Sequence, residues 1–199
     1  MGFYLAQVLT GLASASALFL VASGLSIIFG VTRIVNFAHG SLYMLGAYFG
    51  YSAIGLMQDL VGRGPLSFWG GLALAAIAVG IVGALIETLI LRRVYQAPEL
   101  FQLVATFGVI LVIQDTSLWW WGAEDLLGPR APGLTGAVRI LDTPIPKYDL
   151  ALIALGPIVL GALWLLFNRT RWGILVRAAT EDREMLGALG VNEKLLFTS

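Results

Sequence analysis

His39 is the only histidine, and the chain holds no cysteine. A lone imidazole with no thiolate or second imidazole to help it makes no metal site. His39, Gly40 and Ser41 are adjacent in sequence, but a nucleophile–base pair is defined by spatial geometry and not by adjacency. No GxSxG, HExxH or GxxxxGK[ST] pattern occurs, so neither hydrolase nor nucleotide-binding chemistry is indicated. No catalytic, cofactor-binding or metal-ligating residue is assigned. Asparagine is a good helix N-cap. Asn36, His39 and Gly40 are therefore read as the anchor of a helix start.

A second candidate lies near the C-terminus. Thr180 is a plausible N-cap, Glu181 and Asp182 suit the positive end of a helix dipole, and Gly190 suits a helix stop. This predicts a short helix over about 181–189. Glu184 lies in its middle, and Met185, Leu186 and Leu189 share one face. A helix this short is unstable alone. It needs a partner surface, either its own helices or a separate protein.

The elements that position these residues are apolar. Hydrophobic types make up 58% of the chain and charged types 12%, against about 25% charged in soluble domains. Lys plus Arg and Asp plus Glu number 12 each, which gives no electrostatic pull toward nucleic acid. Residues 1–32, 34–58, 64–86 and 150–168 hold no charge, and 100–122 holds only Asp115. About 20 apolar residues span a bilayer as a helix. Backbone groups in lipid must be satisfied within the segment. The sequence thus predicts an all-α, polytopic transmembrane bundle with the lipid bilayer as its solvent. Five spans fall at 5–29, 38–57, 67–91, 101–121 and 150–168, and a sixth starts at Leu195. In this setting Asn36 and His39 have a second reading, a direct part in a transport path.

Basic residues set the orientation. With the N-terminus outside, inner loops carry eight (Arg33, Arg92, Arg93, Arg169, Arg171, Arg177, Arg183 and Lys194) and outer loops four (Arg63, Arg130, Arg139 and Lys147), as the positive-inside rule favours. The 122–149 segment becomes an extracytoplasmic loop, stiffened by four prolines, and 169–194 a cytoplasmic loop. Trp119, Trp120 and Trp121 mark the outer interface. Glu87 is expected to pair with Arg92 or snorkel, and Pro157 to kink the fifth span. Gly46 and Gly50, and the ridge Ala76, Gly80 and Ala84, are expected to let helices approach closely, within one subunit or between subunits.

Gly24-Leu25-Ser26-Ile27-Ile28-Phe29-Gly30-Val31, followed by Asn36-Phe37-Ala38-His39-Gly40-Ser41-Leu42-Tyr43-Met44-Leu45-Gly46-Ala47-Tyr48, resembles the opening of bacterial branched-chain amino acid ABC transporter permeases. It is similar to the first of their two permease types, the high-affinity leucine/isoleucine/valine type. The segment 177–192 resembles that family's cytoplasmic coupling loop. Glu184 and Gly190 hold the spacing of the wider importer motif, while Met185 and Leu186 replace its two alanines. The resemblance implies a single permease domain over 1–199, the N-terminal portion of a longer chain, in the bacterial cytoplasmic (inner) membrane. It implies a second permease subunit, two cytoplasmic ATPases docked on the coupling loops (Glu181, Glu184, Met185, Leu186, Leu189 and Gly190 here) and a periplasmic substrate-binding protein. The solute would be a branched-chain amino acid or a related small polar solute such as urea or an amide. A secondary carrier without an ATPase is the competing class, followed by a membrane-embedded enzyme.

Overall fold

A computed structural model describes residues 2–32, 36–94, 97–140, 143–181 and 191. The chain forms α1 (Gly2–Thr32), α2 (His39–Val61), α3 (Pro65–Ile86), a π turn (Glu87–Leu91) that runs into the short α4 (Arg92–Val94), α5 (Glu99–Trp121), strands β1 (Ala137–Ile140) and β2 (Thr143–Pro146), α6 (Lys147–Arg169) and α7 (Arg171–Glu181). Two compact units result. One contains α2 to α5, and the other contains α1, the hairpin, α6 and α7.

Among the described residues four helical segments are long and apolar enough to cross a membrane: Gly2–Gly30, Pro65–Val94, Glu99–Trp121 and Lys147–Arg169. Of the five spans expected from the sequence, the second does not reach this set. At 23 residues α2 has the length. Its apolar content is diluted by His39, Tyr43, Tyr48, Tyr51, Gln58 and Asp59. The start of a sixth span at Leu195 lies outside the described residues.

In the first unit α2 packs along α3 and against α5. Small residues make this contact, and on α2 they include the expected Gly46, against Val79, and Gly50, which is buried. The buried positions of α3 are Ser67, Gly71 and Ala75, while Ala76 and Gly80 face outward. A Cβ on Gly71 would lie 2.6 Å from the Ile54 Cα, so only glycine permits this approach. Gly46 meets only the Val79 side chain, at 3.7 Å. The Ser67 hydroxyl starts α3: it accepts from the Gly64 N–H at 3.1 Å and donates to the Gly64 carbonyl at 2.8 Å. With Pro65 in the first turn, where its missing N–H costs nothing, the helix start is satisfied although Ser67 is buried.

In the second unit α1 packs on α6. A Cβ at Gly156 would come 3.1 Å from the Ser16 hydroxyl oxygen, so this contact too runs through small residues. Pro157 lies inside α6 and withholds one N–H from the helix. The stiff loop holds an unexpected hairpin, in which Val138 pairs with Ile145 and Ile140 with Thr143. The Lys147 N–H donates to the Gly136 carbonyl at 3.1 Å. Counting by twos from that bond puts Pro144 and Pro146 in the non-hydrogen-bonded pairs, so their missing N–H groups break no rung. Ile145 is 1% exposed, and β2 packs on α1 and α6.

The Gly71 contact gives a direct test. Gly71→Ala should destabilise the α2–α3 pair by about 1–3 kcal/mol, the usual cost of overpacking. Gly80→Ala, with open space around it, should be near neutral. Unfolding in detergent with increasing sodium dodecyl sulfate reads both. Equal midpoints for the two variants would refute the contact.

Candidate functional site

The Asn36–Gly40 segment enters α2 through an Asx turn. The Asn36 side-chain oxygen accepts the Ala38 N–H at 3.1 Å. The Asn36 carbonyl accepts the His39 N–H at 3.2 Å, and the Ala38 carbonyl accepts the Leu42 N–H at 3.0 Å. Asn36 is buried at 7% exposure, and Ala38 is fully buried. Ala38 belongs to the same core cluster as Leu45 of α2 and Val109 and Ile113 of α5. The sequence did not single out Ala38, yet this position pins the helix start. His39 is half-buried, and Gly40 faces outward with open space around it.

Glu87 and Arg92 meet at the end of α3. Five residues apart on an α-helix, they would point roughly 140° apart. The π turn widens the helix by one residue per turn, and the Arg92 N–H donates to the Glu87 carbonyl. The side chains then align. Arg92 Nη2 donates to Glu87 Oε2 at 3.0 Å and Nε to Oε1 at 3.3 Å. Glu87 is buried at 8% exposure, so a two-point partner removes most of the cost of a carboxylate in an apolar span. Asp115 in α5 is exposed.

Trp121 is the inward-facing member of the tryptophan triplet. Its Nε1–H donates to the Ser52 hydroxyl at 2.8 Å. Its ring stacks on Tyr48 with centroids 5.0 Å apart and meets Phe49 edge-on at 5.7 Å. These contacts tie the end of α5 to α2. Trp119 and Trp120 remain 81% and 69% exposed.

At the other end, Thr170 joins α6 to α7. Its hydroxyl donates to the Leu166 carbonyl at 2.6 Å, closing α6, and accepts the Gly173 N–H at 3.1 Å, opening α7. A Cβ on Gly173 would run into the backbone oxygens of Leu166 and Phe167. The Arg177 guanidinium donates to the Phe167 carbonyl and to Asn168 Oδ1. Val176 and Ala179 are buried with Phe167, Trp172 and Val191 around them. Here the structure corrects the sequence. Thr180 does not start a helix: it lies in the last turn of α7 and donates to the Arg177 carbonyl at 2.6 Å. Glu181 is the last residue of α7 and is exposed. Glu184, Met185, Leu186, Leu189 and Gly190 lie outside the described residues.

No group of three His, Cys, Asp or Glu among the described residues is placed to hold a metal ion. What the geometry provides is helices, helix ends and one stiff elbow. A family model described as branched-chain amino acid transport system / permease component matches residues 7–198. The chain belongs to this family. Among curated proteins it is similar to the high-affinity branched-chain amino acid transport system permease protein BraD of Pseudomonas aeruginosa, 28% identical over 193 residues, covering 95% of this chain and 63% of that protein. It is similar to LivH of Escherichia coli and LivH of Salmonella typhimurium, each 26% identical over 194 residues, covering 96% of this chain and 63% of the relative. The chain thus spans a little under two thirds of the length of these relatives. No solved structure matches it.

Within this permease family member, the elbow fixes where the chain leaves α6, and its rigidity is measurable. Gly173→Ala should push α7 off the last turn of α6. Amide hydrogens of 174–180 should then exchange about tenfold faster or more, matching an overpacking cost of about 1–3 kcal/mol. Protection in α3, which belongs to the other compact unit, should stay unchanged. Unchanged exchange in α7 would show that the close contact is not rigid.

Proposed function

We propose that this chain forms the membrane-spanning part of a permease subunit in an ATP-driven importer. Its solute is a branched-chain amino acid or a related small polar solute, delivered by a periplasmic binding protein. The observation that carries this reading is the family match over residues 7–198. Membership in a transport permease family, with no constellation of reactive groups among the described residues, favours transport over chemistry at the chain itself.

On this reading α2 also crosses the membrane, as the second of five spans. Its 23 residues reach about 34 Å at 1.5 Å per residue, enough for a hydrocarbon core of about 30 Å. Of its polar positions, His39, Tyr48 and Gln58 are half-buried within the first unit, while Tyr43, Tyr51 and Asp59 are exposed. The N-terminus and the 122–149 loop face outward, as the basic residues suggest. Residues 169–194 face the cytoplasm of a bacterial inner membrane. The Thr170 elbow holds α7 on α6 there, and the chain beyond Glu181 presents Glu184, Met185, Leu186, Leu189 and Gly190 to one of two ATPase subunits. A second permease subunit completes the pathway. Closure of the ATPases on ATP moves the coupling segments as rigid bodies and switches the permease between inward- and outward-facing states.

The coupling contact is the step to test. Burying a Leu side chain is worth about 1.5–3 kcal/mol, and an unpaired charge in its place costs several kcal/mol. Leu186→Asp in the full-length permease should abolish co-purification of the ATPase and solute uptake, while the permease still inserts. A mutant that keeps its ATPase and transports normally would overturn the coupling role. Uptake driven by an ion gradient with no ATPase present would replace the importer with a secondary carrier.

A further inference from the structure

The end of α2 carries a feature that neither the coupling loop nor the span contacts use. Asp59 and Arg63 are four residues apart. On a continuing helix that spacing brings opposite charges together. Here α2 stops at Val61, and Gly62 turns the chain at φ 87°, a conformation that disfavours side chains other than glycine. The helix face is broken between the two charges, and no ion pair joins them. Both charges line one open cleft of about 630 Å³, together with Tyr51 and Gln58 of α2 and Leu127 and Pro129 from the segment after α5. That volume falls in the usual range for small-molecule sites. All of these residues belong to one compact unit.

The wall and rim are chemically distinct. Leu127 lies outside every span and is 91% exposed, an aliphatic side chain with nothing covering it. Leu56 lines the same cleft. Ser52, also in the wall, has its hydroxyl engaged by the Trp121 indole, and Trp121 is stacked on Tyr48. The wall is therefore held firm, while a cation, an anion and an aliphatic rim stand open. This is the complement of a zwitterion with an aliphatic side chain. A guanidinium offers a planar fork to a carboxylate, and a carboxylate accepts from an ammonium group.

We propose that the cleft is a receiving site for an aliphatic α-amino acid. Arg63 takes the α-carboxylate, Asp59 the α-ammonium group, and Leu56, Leu127 and Pro129 the side chain. The proposal rests on the permease reading above, which places this end of α2 on the outer face where a binding protein would release its cargo. A solute lacking either head-group charge or the aliphatic side chain loses one of the three contacts.

The test uses full-length permease assembled with its partner subunits in lipid nanodiscs and proteoliposomes. L-leucine is compared with 4-methylpentanoate, isoamylamine and glycine, which lack the ammonium, the carboxylate and the aliphatic side chain respectively. Binding is read by equilibrium dialysis and by Trp121 fluorescence against a Trp121→Phe control, and transport by the concentration dependence of L-leucine uptake. L-leucine should bind at least tenfold more tightly than each of the other three. Asp59→Asn and Arg63→Gln should each weaken L-leucine binding about tenfold or more and raise the uptake KM in parallel, the loss expected for one charge-assisted contact. Both side chains are exposed, so unchanged thermal unfolding of the variants confirms that folding is not the cause. Wild-type uptake of L-leucine with unaltered binding and KM in both variants would overturn the site and leave the permease reading standing. Weaker docking of the binding protein with unaltered L-leucine binding would equally overturn it, in favour of a protein contact. Failure of the wild-type assembly to transport L-leucine would overturn the amino-acid reading and the site with it.

Discussion

Backbone polar groups have no partner in hydrocarbon, and among the described residues each long apolar run answers that constraint by becoming a helix. The constraint also explains why the helices bury so little of themselves. In the most buried of the four span windows only 22% of residues are covered by the chain's own fold. A water-soluble domain with that much apolar surface exposed would aggregate. In lipid the same surface is at home, and the helices are free to touch each other where geometry and not hydrophobicity decides. Gly71 against Ile54, and Gly156 against Ser16, are such contacts. Association in lipid favours small residues because close approach gains dispersion and loses nothing to desolvation.

Several polar groups within the spans are settled by a specific device, while the buried Ser117 hydroxyl of α5 has no hydrogen-bond partner among the described residues. The Glu87 carboxylate is met by Arg92 across a π turn. Thr88 donates to the Ala84 carbonyl at 2.8 Å, Thr106 to Leu103 at 2.9 Å and Thr116 to Val112 at 2.6 Å, returning hydroxyl groups to the backbone of the preceding turn. At the helix ends the devices change. Trp121 ties α5 to α2 through Ser52. Thr170 closes one helix and opens the next. The Arg169 guanidinium lies 6.0 Å from the Trp164 ring centre, the pairing of charge and amphipathic ring that suits a membrane interface.

Four of the five expected spans were legible in the sequence because an uncharged run of about 20 residues has few alternatives to a membrane helix. The Glu87–Arg92 pair was legible only as an option, since no propensity rule signals a π turn. The hairpin was hidden by its own prolines. Pro144 and Pro146 argue against a strand until their register is known. The face of α3 that meets α2 was not legible, because α3 carries small residues on more than one face: Gly71 and Ala75 are buried, while Ala76 and Gly80 of the expected ridge face outward. Thr180 looked like a cap because Thr followed by two acids is a strong local signal. Tertiary packing of Val176 and Ala179 overrides it and carries α7 through that position. The Thr170 elbow had a comparable signal, a Thr three residues before Gly173 whose N–H it captures, and it was missed because the apolar run of α6 ends at the same place.

The topology depends most on α6 crossing the membrane, so that the hairpin loop and α7 lie on opposite sides. The chain has no native cysteine, and Thr135 and Glu181 are both exposed. Single cysteines at these positions, Thr135→Cys and Glu181→Cys, can be probed in intact cells with a membrane-impermeant maleimide. This topology requires labelling at 135 from outside, and labelling at 181 only after the membrane is opened. Labelling of both positions from outside, or of neither until the membrane is opened, would contradict it.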